Sequence, residues 1–320
     1  MPDGRLMLQH AADEYYGLFP ITFVIVREHS ERYGSEQVIR GIYGDSVSIV
    51  VLDDFTSGPA ETIYEVVKEW TDTPFISQDC DGFFDYSIPT RPGFVACVKI
   101  EDYPNLRNAA AKSFALMQDD ALIGIAEKRI VSHNVCVGVY SFPSSVIYCN
   151  YFARLRKEKS GELFLSQMID SMIENGVKFN VVWANNYVDC GVYESYIEHQ
   201  KKHLTIFCDL DGVVFYNQSQ HLSANNYTTP PKIKTSAVKF LIEKQKNGAT
   251  IVFTTSRPTR FAEYTETALD ACGFVNYRIL YDLPHAPRLL INDVSPSNPW
   301  PSATAINSPR DDDQFWESIK

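Results

Sequence analysis

The sequence predicts an α/β protein of two domains, residues 1–203 and 204–320. Three observations carry this reading. Short apolar runs alternate with amphipathic helical stretches through the first domain. The apolar run 204–208 (LTIFC) then ends abruptly in two carboxylates, Asp209 and Asp211, followed by Gly212, as a buried strand does where it empties into a loop. A chain of 320 residues is also longer than one ordinary core supports.

Composition narrows the function. The net charge of −11 argues against binding to a nucleic-acid backbone, which needs a basic face. No apolar run reaches membrane-spanning length, and the opening residues 1–7 (MPDGRLM) lack the apolar core of a signal peptide. The seven cysteines are scattered and show no C-x-x-C pair, and most lie in apolar runs and read as reduced core residues. A cytoplasmic protein is expected, acting on a small molecule, with no nucleic-acid or membrane partner. Nothing fixes its oligomeric state.

In the first domain, residues 21–26, 46–52, 74–78 and 93–99 are strand candidates. Residues 35–42 and 62–70 are helices, the latter with Ile63, Val66, Val67 and Trp70 at helical spacing. Residues 112–117, 122–126 and 135–141 are short strands spaced for antiparallel pairing, and 163–175 returns to helix with Gly176 as its stop. Residues 194–203 read as a helix ending in cations. The result is a Rossmann-like domain with a mixed sheet.

This order of elements is similar to that of the sugar-nucleotidyltransferases, which join a sugar 1-phosphate to a nucleoside triphosphate. Residues 53–62 (DDFTSGPAET) resemble the family's loop beside the base. Residues 78–81 (QDCD) put Asp81 where the family holds Mg²⁺. Glu127 and Lys128, Asn134 and Gly138 resemble its sugar-binding pattern, and Asp189 with Gly191 its second metal-ligand turn. The resemblance implies a second site at Asp81, Glu127, Lys128, Asn134 and Asp189. Asp81 and Asp189 read equally as ordinary strand-end carboxylates. Residues 1–10 (MPDGRLMLQH) resemble the segment after the family's Gly-rich, cationic phosphate loop, and Val192 replaces the usual Thr. The domain is therefore expected to be degenerate and silent in nucleotidyl transfer.

In the second domain, Asp209 and Asp211 alternate on an extended chain and so face one point beyond the strand end. Paired carboxylates there call for a cation, and a hard ion such as Mg²⁺ suits them. A Ca²⁺ loop or an acidic strand-to-turn junction fits the same residues. A polar loop, 217–231, is too short for a cap domain. Thr235 or Ser236 caps the next helix, which stops at Asn247 and Gly248. Residues 249–254 form a second buried strand ending at Thr255 and Ser256, and 259–272 a helix. Residues 289–291 (LLI) are a further strand leading to Asn292 and Asp293. Pro296, Pro299 and Pro301 stiffen the following loop, and 303–307 is a last short strand. Asp311, Asp312 and Asp313 begin a solvated helix.

This series resembles the four motifs of the haloacid-dehalogenase-like (HAD) phosphatases, a parallel α/β fold, here without a cap. The resemblance implies Asp209 as nucleophile and Asp211 as acid and base. It implies Thr255, with Ser256 as runner-up, and Arg288 at the phosphoryl oxygens; Arg257 and Arg260 also lie near. It implies Mg²⁺ on Asp209, Asp211 and Asp293. The expected activity is Mg²⁺-dependent hydrolysis of a phosphate monoester, a sugar phosphate or related metabolite of activated-sugar or polysaccharide biosynthesis. The alternatives are sugar-1-phosphate nucleotidyl transfer by the first domain, with its loop supplied from elsewhere, and a non-catalytic sugar-nucleotide-binding protein.

Overall fold

The longest apolar runs of the first domain become the centre of a mixed sheet. A computed structural model describes residues 1–104, 106–217, 226–293 and 302–319. Its contacts divide the chain into two compact units, Met1–Ile197 and Glu198–Lys320.

In chain order the N-terminal unit comprises α1 (Met7–Ala12), β1 (Thr22–Val26), α2 (Arg27–Tyr33), α3 (Ser35–Tyr43), β2 (Ser48–Leu52), α4 (Pro59–Val67), β3 (Phe75–Gln78), β4 (Gly82–Asp85), β5 (Phe94–Lys99), β6 (Phe114–Gln118), β7 (Ala121–Ala126), β8 (Asn134–Phe142), α5 (Ser145–Glu158), α6 (Leu165–Glu174), β9 (Phe179–Trp183) and β10 (Asn185–Asp189). Helix α7 (Tyr193–Lys202) follows, and the division between the units falls within it. Six strands form one sheet in the order β3-β8-β5-β9-β7-β6, with β6 also touching β8. Only β5 and β9 run parallel within it. β1 pairs with β2 in parallel, and β10 with β4 antiparallel.

Both faces of the large sheet are covered, which explains why β5 and β8 read as unbroken apolar runs rather than as alternating ones. All nine residues of β8 are buried. On one face Val95, Cys97, Cys136, Tyr140 and Phe142 pack with Tyr148 and Phe152 of α5 and Met168 and Ile169 of α6. On the other, Phe94, Ala96, Val98, Val135, Val137 and Val139 pack with Phe84 and Tyr187. Each large side chain removed from water here contributes roughly 1.5–3 kcal/mol. Helix α5, β4, β9 and β10 are elements that the sequence reading passed over. The first of these is held at its N-terminal turn: the Ser144 hydroxyl accepts from Ile147 N (3.0 Å), and the buried Tyr148 hydroxyl donates to Ala60 O (2.8 Å).

The C-terminal unit has β11 (Thr205–Asp209), α8 (Thr235–Lys246), β12 (Thr250–Thr254), α9 (Ala262–Ala271) and β13 (Arg278–Leu280). The three strands are parallel and consecutive, so each βαβ step adds one strand to the side of the last. Cys208, Leu210, Phe215, Leu241, Ile251, Phe253, Leu269 and Phe274 form the core.

Several expectations are corrected here. Residues 289–291 form no strand: Leu289, Leu290 and Ile291 are 84%, 56% and 83% exposed, because no neighbouring strand pairs with them among the described residues. Residues 303–307 are likewise not a strand. The third strand is β13, in a stretch that the sequence reading left unassigned. Neither Thr235 nor Ser236 caps α8; Asp313 does, its Oδ1 accepting from Ser236 N (3.0 Å) and Ala237 N (3.3 Å). Its neighbours also have partners, Asp311 at Asn217 N and the exposed Asp312 at Gln314 N, where the expected helix start appears as a short 3₁₀ helix, Gln314–Glu317. Most of the polar loop, residues 218–225, and Pro296, Pro299 and Pro301 lie outside the described residues.

A remote cap makes a specific prediction. Asp313→Ala should lower the stability of the C-terminal unit by about 1 kcal/mol, and Asp313→Asn by less. Urea denaturation of both variants checks this, with equal loss in the two as the contrary result.

Candidate functional site

Three chain segments build a pocket in the N-terminal unit. Between β3 and β4 the chain turns through Asp79, Cys80 and Asp81, pinned by Asp79 N to Gly138 O (2.9 Å) and by Cys190 N to Asp81 O (2.8 Å). Strand β10 delivers Asp189 beside this turn, because β10 pairs with β4 and sets Asp189 opposite Gly82. The β6–β7 hairpin brings Lys112, just before β6, next to Glu127 and Lys128, just after β7; Lys128 N donates to Lys112 O (3.2 Å). The enclosed volume is about 220 Å³.

Two glycines leave room for the acids. A Cβ on Gly138, whose φ is +89°, would meet Asp79 Oδ2 at 2.7 Å. A Cβ on Gly191 would meet Asp81 Oδ2 at 2.6 Å and Asp189 Oδ1 at 3.2 Å. Carboxylates from two different strand ends therefore converge on the space above Gly191. Lys112 answers them: its Nζ lies 2.9 Å from Asp189 Oδ1. Glu127 is fixed by two hydroxyls, Ser113 from β6's start and Ser166 from α6, both donating to its Oε2. Lys128 adopts a left-handed backbone (φ +52°) and sets its ammonium 4.2 Å from the Phe164 ring centroid.

The charges do not cancel. Burial first, then the neighbouring Asp81 and Glu127, push Asp79 up to about 7, with Lys112 pulling the other way. Asp79 is exposed on one side, which moderates the burial part, and the repulsion by Asp81 acts in the same direction. This is a pocket able to hold a polyhydroxylated, phosphorylated ligand: hydroxyl partners and cations on one side, converging carboxylates on the other.

Of the five residues expected at this second site, Asp81, Glu127, Lys128 and Asp189 come together, and Asn134 does not. Its side chain is buried and spent on structure, accepting from Lys99 Nζ (2.7 Å) and donating to Ala115 O (3.1 Å). The sequence reading missed Lys112, Ser113, Ser166 and the role of Asp79. Asp79 carried a signal, being an acid two residues from Asp81 at a strand end. Lys112 carried none, since its partner lies on a distant strand.

The expected site of the C-terminal unit is differently disposed. Asp211 is held by Arg257 through two hydrogen bonds, Nε to Oδ2 (2.9 Å) and Nη2 to Oδ1 (2.7 Å). Arg257 is 4% exposed and lies over the Phe215 and Tyr227 rings. Thr255 is buried, and its hydroxyl accepts from Arg257 N (3.1 Å). Ser256 is half-buried and Arg260 exposed. Arg288 reaches Asp209 Oδ1 at 3.3 Å in an exposed pair, while burial holds the Asp209 carboxyl above its ordinary range. One cation at the Asp209–Gly212 turn was not anticipated: Lys234, fully buried, donates to Gly212 O (3.0 Å). Asp293 is exposed, at the end of the segment that forms no strand. Among the described residues no group of three or more His, Cys, Asp or Glu side chains is placed to hold a metal ion, so Asp209, Asp211 and Asp293 are not the gathered triad expected. The missing strand is the reason, since it alone would have carried Asp293 to the sheet end.

No protein-family model matches the chain, and no curated protein matches it. Solved structures do. The nucleoside-diphosphate-sugar pyrophosphorylase of Vibrio cholerae RC9 is similar at 19% identity and a TM-score of 0.51, over 61% of this chain and 87% of its own. The inositol-1-phosphate CTP transferase of T. maritima is similar at 14% identity and a TM-score of 0.49, over 60% of this chain and 79% of its own. The first likeness shows that the N-terminal unit has the nucleotidyltransferase fold. It also corrects the expected assignment of the protein as a phosphatase with a silent first domain: the matched fold is that of a pyrophosphorylase, and the described C-terminal residues do not assemble the acids that the phosphatase mechanism requires.

The charge crowding in the pocket has a measurable sign. A carboxyl whose folded pKa is raised carries no penalty below its unfolded value, a growing one as pH climbs from the unfolded to the folded value, and a constant one above it. Asp79→Asn should therefore raise the melting temperature relative to the parent by more at pH 8 than at pH 5. Thermal denaturation at the two pH values checks it; an equal difference would mean that Asp79 is not held above its ordinary range.

Proposed function

We propose that the N-terminal unit binds a sugar 1-phosphate and a nucleoside triphosphate and catalyses nucleotidyl transfer between them. The sugar-phosphate oxygen forms a bond to the α-phosphorus as the bond to the β-phosphate oxygen breaks, and pyrophosphate leaves. The observation that carries this is the convergence of Asp81 and Asp189 above Gly191, with Lys112 paired to Asp189 and Glu127 lining the same pocket as Asp81 and Lys112. The nucleotidyltransferase fold supports it.

The donor set fits Mg²⁺, which takes one or two carboxylates and fills its remaining positions with water and phosphate oxygens. Asp81 and Asp189 would hold the ion, and when bound it supplies positive charge at the phosphates. The chain's own residues do the rest by positioning and charge, which is most of what phosphoryl transfer asks of a protein. Lys112 and Lys128 offer ammonium groups to phosphate oxygens. Glu127, immobilised by Ser113 and Ser166, presents its free oxygen to sugar hydroxyls. Asp79, the acid most crowded by its neighbours, gains most when a cation arrives. A second reading, hydrolysis in the C-terminal unit, is not supported by its geometry.

The test is pyrophosphate release from a panel of nucleoside triphosphates and sugar 1-phosphates with Mg²⁺. Turnover is expected, and Asp81→Asn should lower kcat/KM about 100-fold or more. Binding of a nucleotide sugar without pyrophosphate release would make this a nucleotide-sugar-binding protein instead. Neither binding nor turnover would overturn the assignment.

A further inference from the structure

Lys112 stands out among the charged groups of the pocket. Asp189 is the one of the three aspartates that forms an ion pair among the described residues, and it forms it with Lys112. Its carboxylate is 7% exposed and the lysine side chain 22%, so salt and water weaken the pair little. The same Oδ1 also accepts from Gly191 N at 3.1 Å. A compact ammonium thus sits on one of the two carboxylates that converge above Gly191. It does so from the end of a four-carbon stem free to turn toward another anion. Lys128, the neighbouring cation, pairs with no carboxylate among the described residues and rests over Phe164 instead.

We propose that Lys112 is a resident cation at Asp189: its ammonium and a divalent metal ion compete for that carboxylate, and displacement by the metal frees Lys112 to bind a phosphate oxygen of the substrate. The inference rests on the nucleotidyltransferase reading and assigns Lys112 a role within it. Lys112 is a positioning residue that couples metal entry to phosphate capture. In the free protein it offsets the repulsion among Asp79, Asp81 and Asp189. When metal takes over that task, one positive charge becomes available without any new residue entering the pocket. No other lysine or arginine ion pair with Asp79, Asp81 or Asp189 exists among the described residues to perform the exchange.

The signature is a pair of effects of opposite sign, which loss of a structural salt bridge does not produce. In the full-length protein without nucleotide or sugar, Lys112→Met should bind Mn²⁺ about fivefold tighter or more, as measured by paramagnetic titration, because the competitor is gone. The same variant should bind inorganic phosphate about fivefold more weakly at saturating Mg²⁺, as followed by phosphorus NMR. Lys112→Arg keeps the charge and should resemble the parent in Mn²⁺ affinity, and circular dichroism establishes that each variant is folded. Unchanged or weaker Mn²⁺ binding in folded Lys112→Met overturns the proposal, as does unchanged phosphate binding, or no Mn²⁺ binding by either protein. If Lys112→Met does not fold, Lys112→Gln replaces it with the same outcomes. The metal arm uses no sugar or nucleotide, so failure of the pyrophosphate assay and failure of this competition are separate results.

Discussion

The arrangement of the N-terminal unit depends on how Asp81 and Asp189 are kept together at Gly191, with Asp79 beside them at Gly138. Asp79, Asp81 and Asp189 come from two chain segments far apart in sequence, and like charges at that range resist being assembled. Lys112 supplies the opposing charge at Asp189, and backbone hydrogen bonds at Gly138 and Cys190 lock the Asp79–Asp81 turn in place. Glycine at 138 and 191 is required because a methyl group at either position would occupy the space of a carboxylate. Every other feature of the pocket, from the serine-held Glu127 to the ring-held Lys128, is arranged around that concentration of charge.

The large sheet is what makes the concentration possible. β5 and β8 are buried on both faces, so their ends are rigid platforms rather than mobile loops. Pocket residues hang from strand ends or from the turns directly attached to them, where rigid backbone holds side-chain positions closely. The two sheet faces divide the labour. One buries aromatic and aliphatic residues against α4, α5 and α6. The other packs on Phe84 and Tyr187, and so fixes the β4–β10 pair that brings Asp81 and Asp189 together.

The C-terminal unit shows the opposite use of paired charges. Its Asp211 is satisfied by a buried arginine, and its Thr255 hydroxyl by a backbone amide. Lys234 is spent on a carbonyl. These groups are the same types that the sequence reading assigned to phosphate chemistry, yet each has a structural partner. The acid meant to complete a metal site lies on residues that join no sheet. Composition at strand ends thus identified polar residues of consequence, while their partners decided what those residues do.

Much of the fold was legible in the sequence because burial on a sheet writes a local pattern. The runs at 21–26, 93–99 and 135–141 became β1, β5 and β8, and the antiparallel β6–β7 hairpin follows from two short runs with a turn between them. Helix α5 escaped notice because its apolar residues do not form a clean stripe, and β9 and β10 because short strands differ little from loops until a partner is known. Asp81, Glu127, Lys128 and Asp189 were singled out by the resemblance of their motifs to those of sugar-nucleotidyltransferases, not by burial pattern. What the chain order by itself determined was which residues are acids, bases or hydroxyls, and which segments must hide from water. The tertiary structure alone decided that Lys112 faces Asp189, that Asn134 serves Lys99, that Asp313 caps a helix far upstream, and that residues 289–291 find no strand to pair with. Those outcomes depend on distances between segments remote in sequence, and pairing at a distance leaves no periodic mark along the chain.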